Sequence, residues 1–555
     1  MNIMLNESFP NQFTPNKPQE LILHGIGEAM ALGKKFIIIN APTGSGKSFI
    51  SKTLANYSKP CSEEFAKTLG STCRWQNISF GEEERFGAAI LTCTKSLQDQ
   101  YAELFSDGDV LKGKINYDCG KDEGVCCDVA NCVCDDSLKD KCWAARCCPY
   151  FNARYDTAVN KCSFYNYSMF LSLPDCVKHK QFLICDEASE LEEVLVNEYT
   201  VDLDLLTLQK NLNNMMPIAP DEGSSKHVYF RWLEALNGSI MLVLKELTME
   251  SLSRNRKHFT KSEMQQYRYL SSVQLAVNQL ISCWDDSDWF KLHRDDAHLV
   301  FVPYEIDKLA QNFFKYGETV ILMSATIVNP KKYAKMLGID DYYFIDAPST
   351  MDPGRAFISP VSTDFRPNYK NKETMIPKMA KVAKQLCDQF PDKKGIIHTN
   401  SFDILNMLKD VLGEGGRFLY RGGNASNEIM MEVHKASEMP TVLVSPSMTH
   451  GIDLKGKLGE FQIIMKAPYP NLGDPRINRK FKEDKEWYVD KMLSTLVQAC
   501  GRCNRTASDL AITFIMDFNA YQALVVNRDK LPAYFNARLS EEAKNSYKKH
   551  VKDEH

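Results

Sequence analysis

No stretch of this sequence is long and apolar enough to cross a bilayer, which takes about 18–20 uncharged residues. The run GSIMLVL (Gly238–Leu244) is far too short and reads as part of a core helix. The first residues, MNIMLNESFPNQF, lack the basic start and apolar stretch of a secretory leader, so export is not expected. Net charge is also scarce: 67 Lys and Arg stand against 71 Asp and Glu, a balance of -4. That excludes a global attraction to polyanions and leaves any nucleic-acid binding to local basic surface. Internal repeats and low-complexity tracts are missing, which removes solenoids and disordered arrays. No extra cluster of metal-binding carboxylates suggests a nuclease.

Hydrophobic residues make up 44% of the 555, enough for a sizeable core, and the length suits about three or four domains. Short apolar runs recur between helical patterns. Phe36–Ile39, GAAILTCT (Gly87–Thr94), QFLICDEAS (Gln181–Ser189) and TVILMSATI (Thr319–Ile327) read as buried strands. A second series follows in KKGIIHTNS (Lys393–Ser401), PTVLVSPS (Pro440–Ser447), GEFQIIMKAPYP (Gly459–Pro470) and LAITFIMDF (Leu510–Phe518). This pattern predicts an α/β fold with two parallel-sheet units, separated near the turn-rich stretch that begins at Ala347. Amphipathic helices are expected over 201–300, as an insertion in the first unit.

Between the first strand and a helix lies Ala41-Pro-Thr43-Gly44-Ser45-Gly46-Lys47-Ser48, a P-loop in which Ala41 replaces the first glycine. Gly44 and Gly46 let backbone N–H groups turn toward phosphate oxygens, and the helix N-terminus adds its dipole. Lys47 is expected to reach the β- and γ-phosphates, and Ser48 to place a hydroxyl on Mg²⁺. Asp186 and Glu187 end the third strand, where α/β sheets bind ligands. Asp186 would hold Mg²⁺, and Glu187 would orient and deprotonate the attacking water. These residues predict an ATP hydrolase. In VQACGRCNR, Gln498, Gly501, Arg502 and Arg505 fit Q-x-x-G-R-x-x-R. Two arginines supplied by the second unit would neutralise charge developing on the γ-phosphate.

In these motifs and their order the chain resembles the superfamily-2 helicases of the XPD/DinG family, from about Pro18 to Phe518. NKPQELILHGI resembles the segment before the P-loop, which implies that Gln19 reads adenine. TCTKSLQDQY, SAT (Ser324–Thr326), HTNS (His398–Ser401) and THGIDLKG (Thr449–Gly456) are similar to motifs Ia, III, IV and V, with Asp453 facing the nucleotide. KAPYPNLGDP is similar to the loop that follows motif V in DinG-like proteins. DEAS stands where the family has DEAH, so Ser189 replaces the histidine. The resemblance implies two RecA-like motor domains, the first interrupted by an iron–sulfur domain and an arch-like helical insertion. The expected divisions are 1–110, 166–200 and 301–346 for the first motor domain, 111–165 for the iron–sulfur domain, 201–300 for the arch and 347–555 for the second motor domain.

Of 18 cysteines, ten lie between Cys119 and Cys176. In a chain without an export signal, such a group suggests a metal site before disulfides. Thiolate chemistry alone allows tetrahedral zinc. The resemblance favours a [4Fe–4S] cluster, since KGKINYDC and CPYFNARY resemble its flanks. The set it implies is Cys119, Cys132, Cys142 and Cys148, with Cys126, Cys127, Cys134 and Cys147 competing for the middle positions. Lys112, Lys114, Lys139, Lys141, Arg146 and Arg154 offer phosphate contacts nearby.

The activity implied is ATP-dependent, 5′→3′ translocation on single-stranded DNA with unwinding of forked or tailed duplexes, by a monomer without a membrane partner. The compact length suits the cytoplasm of a bacterial or phage-infected cell. Two rivals are a translocase that displaces proteins or RNA without unwinding, and a nucleic-acid-binding adaptor with no motor. DNA repair is among the processes such an activity would serve.

Overall fold

The computed structural model describes residues 2–78, 85–121, 125–128, 130, 136–253, 260–294, 297–422, 427–446, 454–504 and 508–553. Along them run β1 (Phe36–Asn40), β2 (Ala88–Thr92), β3 (Asp109–Val110), β4 (Cys162–Asn166) and β5 (Lys180–Cys185). Next come β6 (Val201–Asp204), β7 (Trp289–Arg294), β8 (His298–Pro303), β9 (Gly317–Ser324) and β10 (Tyr342–Asp346). The last six are β11 (Ile358–Pro360), β12 (Gly395–His398), β13 (Phe418–Tyr420), β14 (Val442–Ser445), β15 (Phe461–Ile464) and β16 (Ile512–Ile515).

Seven strands form a parallel sheet in the order β10-β1-β9-β5-β2-β4-β3. The middles of its central strands are apolar because helices cover both faces. Phe36 and Ile38 of β1 enter one core, Ile37 and Ile39 the other, which is the period of two of a strand buried on both sides. A second parallel sheet of six strands, β11-β16-β15-β12-β14-β13, builds the other lobe. The expected pair of RecA-like α/β units, the first carrying two insertions, is therefore present.

The cysteine-rich insertion precedes β4 and includes helices Asp136–Ala144 and Pro149–Val159. Arg154 turns inward over the Trp75 ring, 3.9 Å from its centroid, and burial is the main cause that lowers its pKa. That removes it from the basic surface expected to meet phosphates. The second insertion has long helices at Lys226–Ser253 and Lys261–Ser282, as the apolar spacing predicts. Its base is not helical: β6, β8 and β7 form a small antiparallel sheet. Only β8 of the three has an apolar centre, so periodicity alone gave little sign of it.

Candidate nucleotide cleft and cysteine site

β1 runs straight into the P-loop. Asn40 fixes it to the third motif: its Nδ2 donates to Ile327 O at 2.9 Å, and its Oδ1 accepts from Ile327 N at 3.1 Å. Gly44 and Gly46 take φ of 79° and 81°, the left-handed region that lets their N–H groups face inward. Ser45 is buried, and its hydroxyl has no partner among the described residues. A phosphate oxygen is the acceptor such a hydroxyl calls for. Gln19 caps the Lys17–Ala31 helix with Asn16, and its Nε2 donates to Gly46 O at 3.3 Å. A Cβ on Gly46 would come within 2.2 Å of that nitrogen, so the loop and Gln19 are mutually fitted.

Asp186 follows β5 and is buried, with Oδ2 accepting from Tyr101 at 3.0 Å and Oδ1 from Glu187 N at 3.0 Å. Burial pushes its carboxyl up to about 6, the Glu187 charge adds to this, and Lys47 opposes it. The Tyr101 hydroxyl also lies 3.4 Å from Ser51 Oγ, and Ser48 is near enough to help lower its pKa against burial. Ser48 and Asp186 are hard oxygen donors that both neighbour this tyrosine, with Lys47 close enough to act on Asp186, a set that fits Mg²⁺. Glu187 has φ of 49°, a strained value for a non-glycine residue that recurs at functional sites. Its Oε2 accepts from Ser324 at 3.2 Å. Ser324, Ser189 and Thr326 form a hydroxyl chain, with Ser189–Ser324 at 2.9 Å and Thr326–Ser189 at 2.8 Å. Ser189 thus occupies the expected histidine position with a hydrogen bond into the third motif.

Across the cleft, the Lys485–Cys500 helix carries Gln498, and Arg502 follows, both buried. A Cβ on Gly501 would lie 3.6 Å from Thr43 Oγ1. The Q-x-x-G-R segment of the second lobe is therefore in contact with the glycine turn of the first. Arg505 and Asp453 lie outside the described residues. Tyr101 and Asn40 were not singled out from the sequence; a tyrosine in an amphipathic helix and a strand-end asparagine carry no distinguishing pattern.

In the cysteine-rich insertion, Cys119 and Cys127 are set by a short backbone ladder, with Cys119 N donating to Val125 O and Cys127 N to Tyr117 O, both at 2.7 Å. The Cys127 and Cys148 sulfurs are 3.9 Å apart. Burial first, then the Cys148 and Cys119 thiols, push the Cys127 thiol up to about 12. Cys142 is buried, and its carbonyl lies 3.6 Å from the Cys147 sulfur. Cys132 lies outside the described residues. The thiol beside Cys148 is thus Cys127, outside the set of four expected. Among the described residues, no group of three or more His, Cys, Asp or Glu forms a ready metal site. No described helix is long and apolar enough to cross a membrane.

Residues 383–528 match the helicase C-terminal domain family. No curated protein matches the sequence. Among solved structures, an XPD helicase superposes with a TM-score of 0.58 at 15% identity, covering 93% of this chain and 98% of that one. Xpd4 of S. tokodaii gives 0.55 at 15% identity, with 95% and 99% covered. An XPD apo structure gives 0.51 at 15% identity, with 92% and 98% covered. At this identity the likeness is one of architecture: the chain has the XPD helicase fold.

Proposed function

We propose that this chain, an XPD-type fold whose second lobe is a helicase C-terminal domain, is an ATP-dependent DNA helicase that moves 5′→3′ on single strands and opens tailed or forked duplexes. The observation that carries the reading is the approach of Gly501 to Thr43, 3.6 Å for an added Cβ, which brings motif VI of one lobe onto the P-loop of the other. ATP bound there is held by the backbone of Gly44 and Gly46 and by Lys47, with Gln19 at the mouth. Glu187 takes the proton of the attacking water while Ser324 holds its carboxylate in place. Arg502, and Arg505 with it, stabilise the charge that develops on the γ-phosphate. Mg²⁺, held by Ser48 and Asp186, would neutralise phosphate charge when bound. Closure and reopening of the two lobes then moves the strand, gripped by its sugar–phosphate chain and with little sequence preference.

The test is unwinding of DNA duplexes carrying a single 5′ or 3′ tail, beside RNA–DNA hybrids and protein-blocked strands. Unwinding from 5′ tails alone is the expected result. Opening from 3′ tails alone reverses the polarity. Displacement of bound protein without strand separation replaces the helicase with a translocase.

For the cysteines, a [4Fe–4S] cluster needs four thiolates, and Cys127 and Cys148, whose sulfurs are 3.9 Å apart, are the pair offered as two of its ligands. Cys119, Cys132, Cys134 and Cys142 are left to compete for the other two places. When bound, the cluster would brace the insertion against which the duplex splits. In anaerobically purified protein, Cys127→Ser and Cys148→Ser should each lower iron from about four per chain to below about one, with loss of the broad absorption near ~400 nm. Full iron in Cys127→Ser returns that position to Cys132; zinc in place of iron removes the cluster.

A further inference from the structure

Away from the nucleotide, one buried carboxylate ties the lobes together. Glu192 lies in the first turn of the Leu191–Tyr199 helix, which begins just after the DEAS segment. Its side chain is 1% exposed. Among the described residues, its four side-chain donors all come from the second lobe. Arg476 Nη2 and Lys480 Nζ reach Oε1 at 2.9 and 3.0 Å. Trp487 Nε1 and Lys491 Nζ reach Oε2 at 3.2 and 2.9 Å. Burial raises the Glu192 carboxyl, yet Lys491, Lys480 and Arg476 together hold it well below the usual carboxylate range. Glu193, 4.0 Å from Lys491, is mostly exposed and offers the seam little compensation.

Three cations thus meet one carboxylate in a seam from which water is largely excluded. Removing that carboxylate would leave buried positive charges facing one another, the costly case for a buried ion cluster. Other ties across the seam, such as Lys332 to Asp484 and Glu486, are half-exposed and screened.

The donors are not scattered. Trp487, Lys491, Ser494 and Gln498 lie at spacings of four, three and four residues, one stripe of the Lys485–Cys500 helix. Ser494 Oγ donates to Thr326 O at 2.8 Å, so the stripe stays on the first lobe for its whole length. It ends where Gly501 meets Thr43. Lys491 and Cys500, the last residue of the helix, are about 14 Å apart along this rod at 1.5 Å per residue, and Arg502 follows just beyond it. One end is fixed by Glu192, and the other carries the groups aimed at the nucleotide.

We propose that Glu192 is the pivot of the motor: a positioning residue that pins the root of the Lys485–Cys500 helix to the first lobe and thereby sets where Gln498 and Arg502 meet the nucleotide. This rests on the two-lobe ATP site proposed above. Arg476 extends the same tie to the arch insertion, since its Nε donates to Pro303 O at 3.0 Å.

The test compares full-length wild type, Glu192→Gln, Glu192→Asp and Lys47→Ala. It measures DNA-stimulated ATP hydrolysis, affinity for a fluorescent ATP analogue, melting temperature and the carbodiimide cross-link of Lys332 to Asp484 or Glu486, read by peptide mass spectrometry. Glu192→Gln should lower kcat about a hundredfold, the cost of roughly 1 Å of misplacement. Analogue affinity should stay within about threefold, because the P-loop lobe is untouched. The Lys332 cross-link should fall with kcat. Glu192→Asp keeps the charge and should fall between wild type and Glu192→Gln; it carries the test should Glu192→Gln not fold. Wild-type kcat and cross-linking in Glu192→Gln overturns the pivot. So does a loss of analogue affinity that merely tracks melting temperature. Lys47→Ala should keep the cross-link while losing hydrolysis. A wild type as inactive as Lys47→Ala sinks the motor reading instead, and the cross-link then judges the pivot alone.

Discussion

Arg502→Ala should lower DNA-stimulated ATP hydrolysis by about 10³-fold or more, the range attributed to arginine fingers. The residue is buried and follows the helix whose end touches Thr43 of the P-loop. Its guanidinium is planar and permanently charged, suited to the equatorial oxygens of a transferring phosphoryl group. The charge it neutralises develops only in the transition state, so the loss should fall on kcat, with ATP affinity changed by less than about threefold. Arg502→Lys should recover little, because a point charge does not reproduce the fork. Steady-state hydrolysis over a range of ATP concentrations separates these effects. An Arg502→Ala variant with normal kcat and raised KM would mean that the arginine only helps to bind ATP.

The second large effect is at Lys47. Lys47→Ala should abolish detectable hydrolysis, a fall of at least about a hundredfold by the usual value of one preorganised electrostatic contact. Lys47 lies at the start of its helix, near the buried Asp186, whose carboxyl it helps to keep ionised against the effects of burial and of Glu187. Alanine would therefore remove the phosphate contact proposed for Lys47 and also the charge that opposes burial and Glu187 at Asp186. Single-strand binding should persist, because the phosphates of the strand are met elsewhere and bind through many weak contacts. Fluorescence anisotropy with a labelled oligonucleotide measures it beside the phosphate-release assay. Retained hydrolysis in Lys47→Ala would contradict the role given to this lysine.

Much of the cleft was legible because phosphate chemistry constrains neighbours in sequence. Gly44, Gly46, Lys47 and Ser48 must be contiguous to turn N–H groups, an amine and a hydroxyl toward one ligand. The Asp186–Glu187 pair follows the apolar run Phe182–Cys185 of β5, which marks it as facing the crevice. What escaped was short or dispersed. β3 has two residues, and β4 reads CSFYN, where polar positions dilute the strand pattern. The antiparallel sheet beneath the arch has little periodicity of its own. Glu192 looks like any acid that favours the first turn of a helix. Its partners stand almost 300 residues away at Arg476, Lys480, Trp487 and Lys491, and only the meeting of the two lobes joins them. Cys127 was hidden for a related reason. In a stretch crowded with thiols, spacing cannot decide which sulfur comes to lie 3.9 Å from Cys148.

The most direct test of the two-lobe nucleotide site is photolabelling with an ATP analogue bearing an aryl azide on its γ-phosphate, followed by peptide mapping. Labelled peptides should come from both the Ala41–Ser48 turn and the segment from Gln498 to Asn504, with both lost in excess ATP. Label confined to the first lobe at saturating analogue would contradict a nucleotide clasped by both.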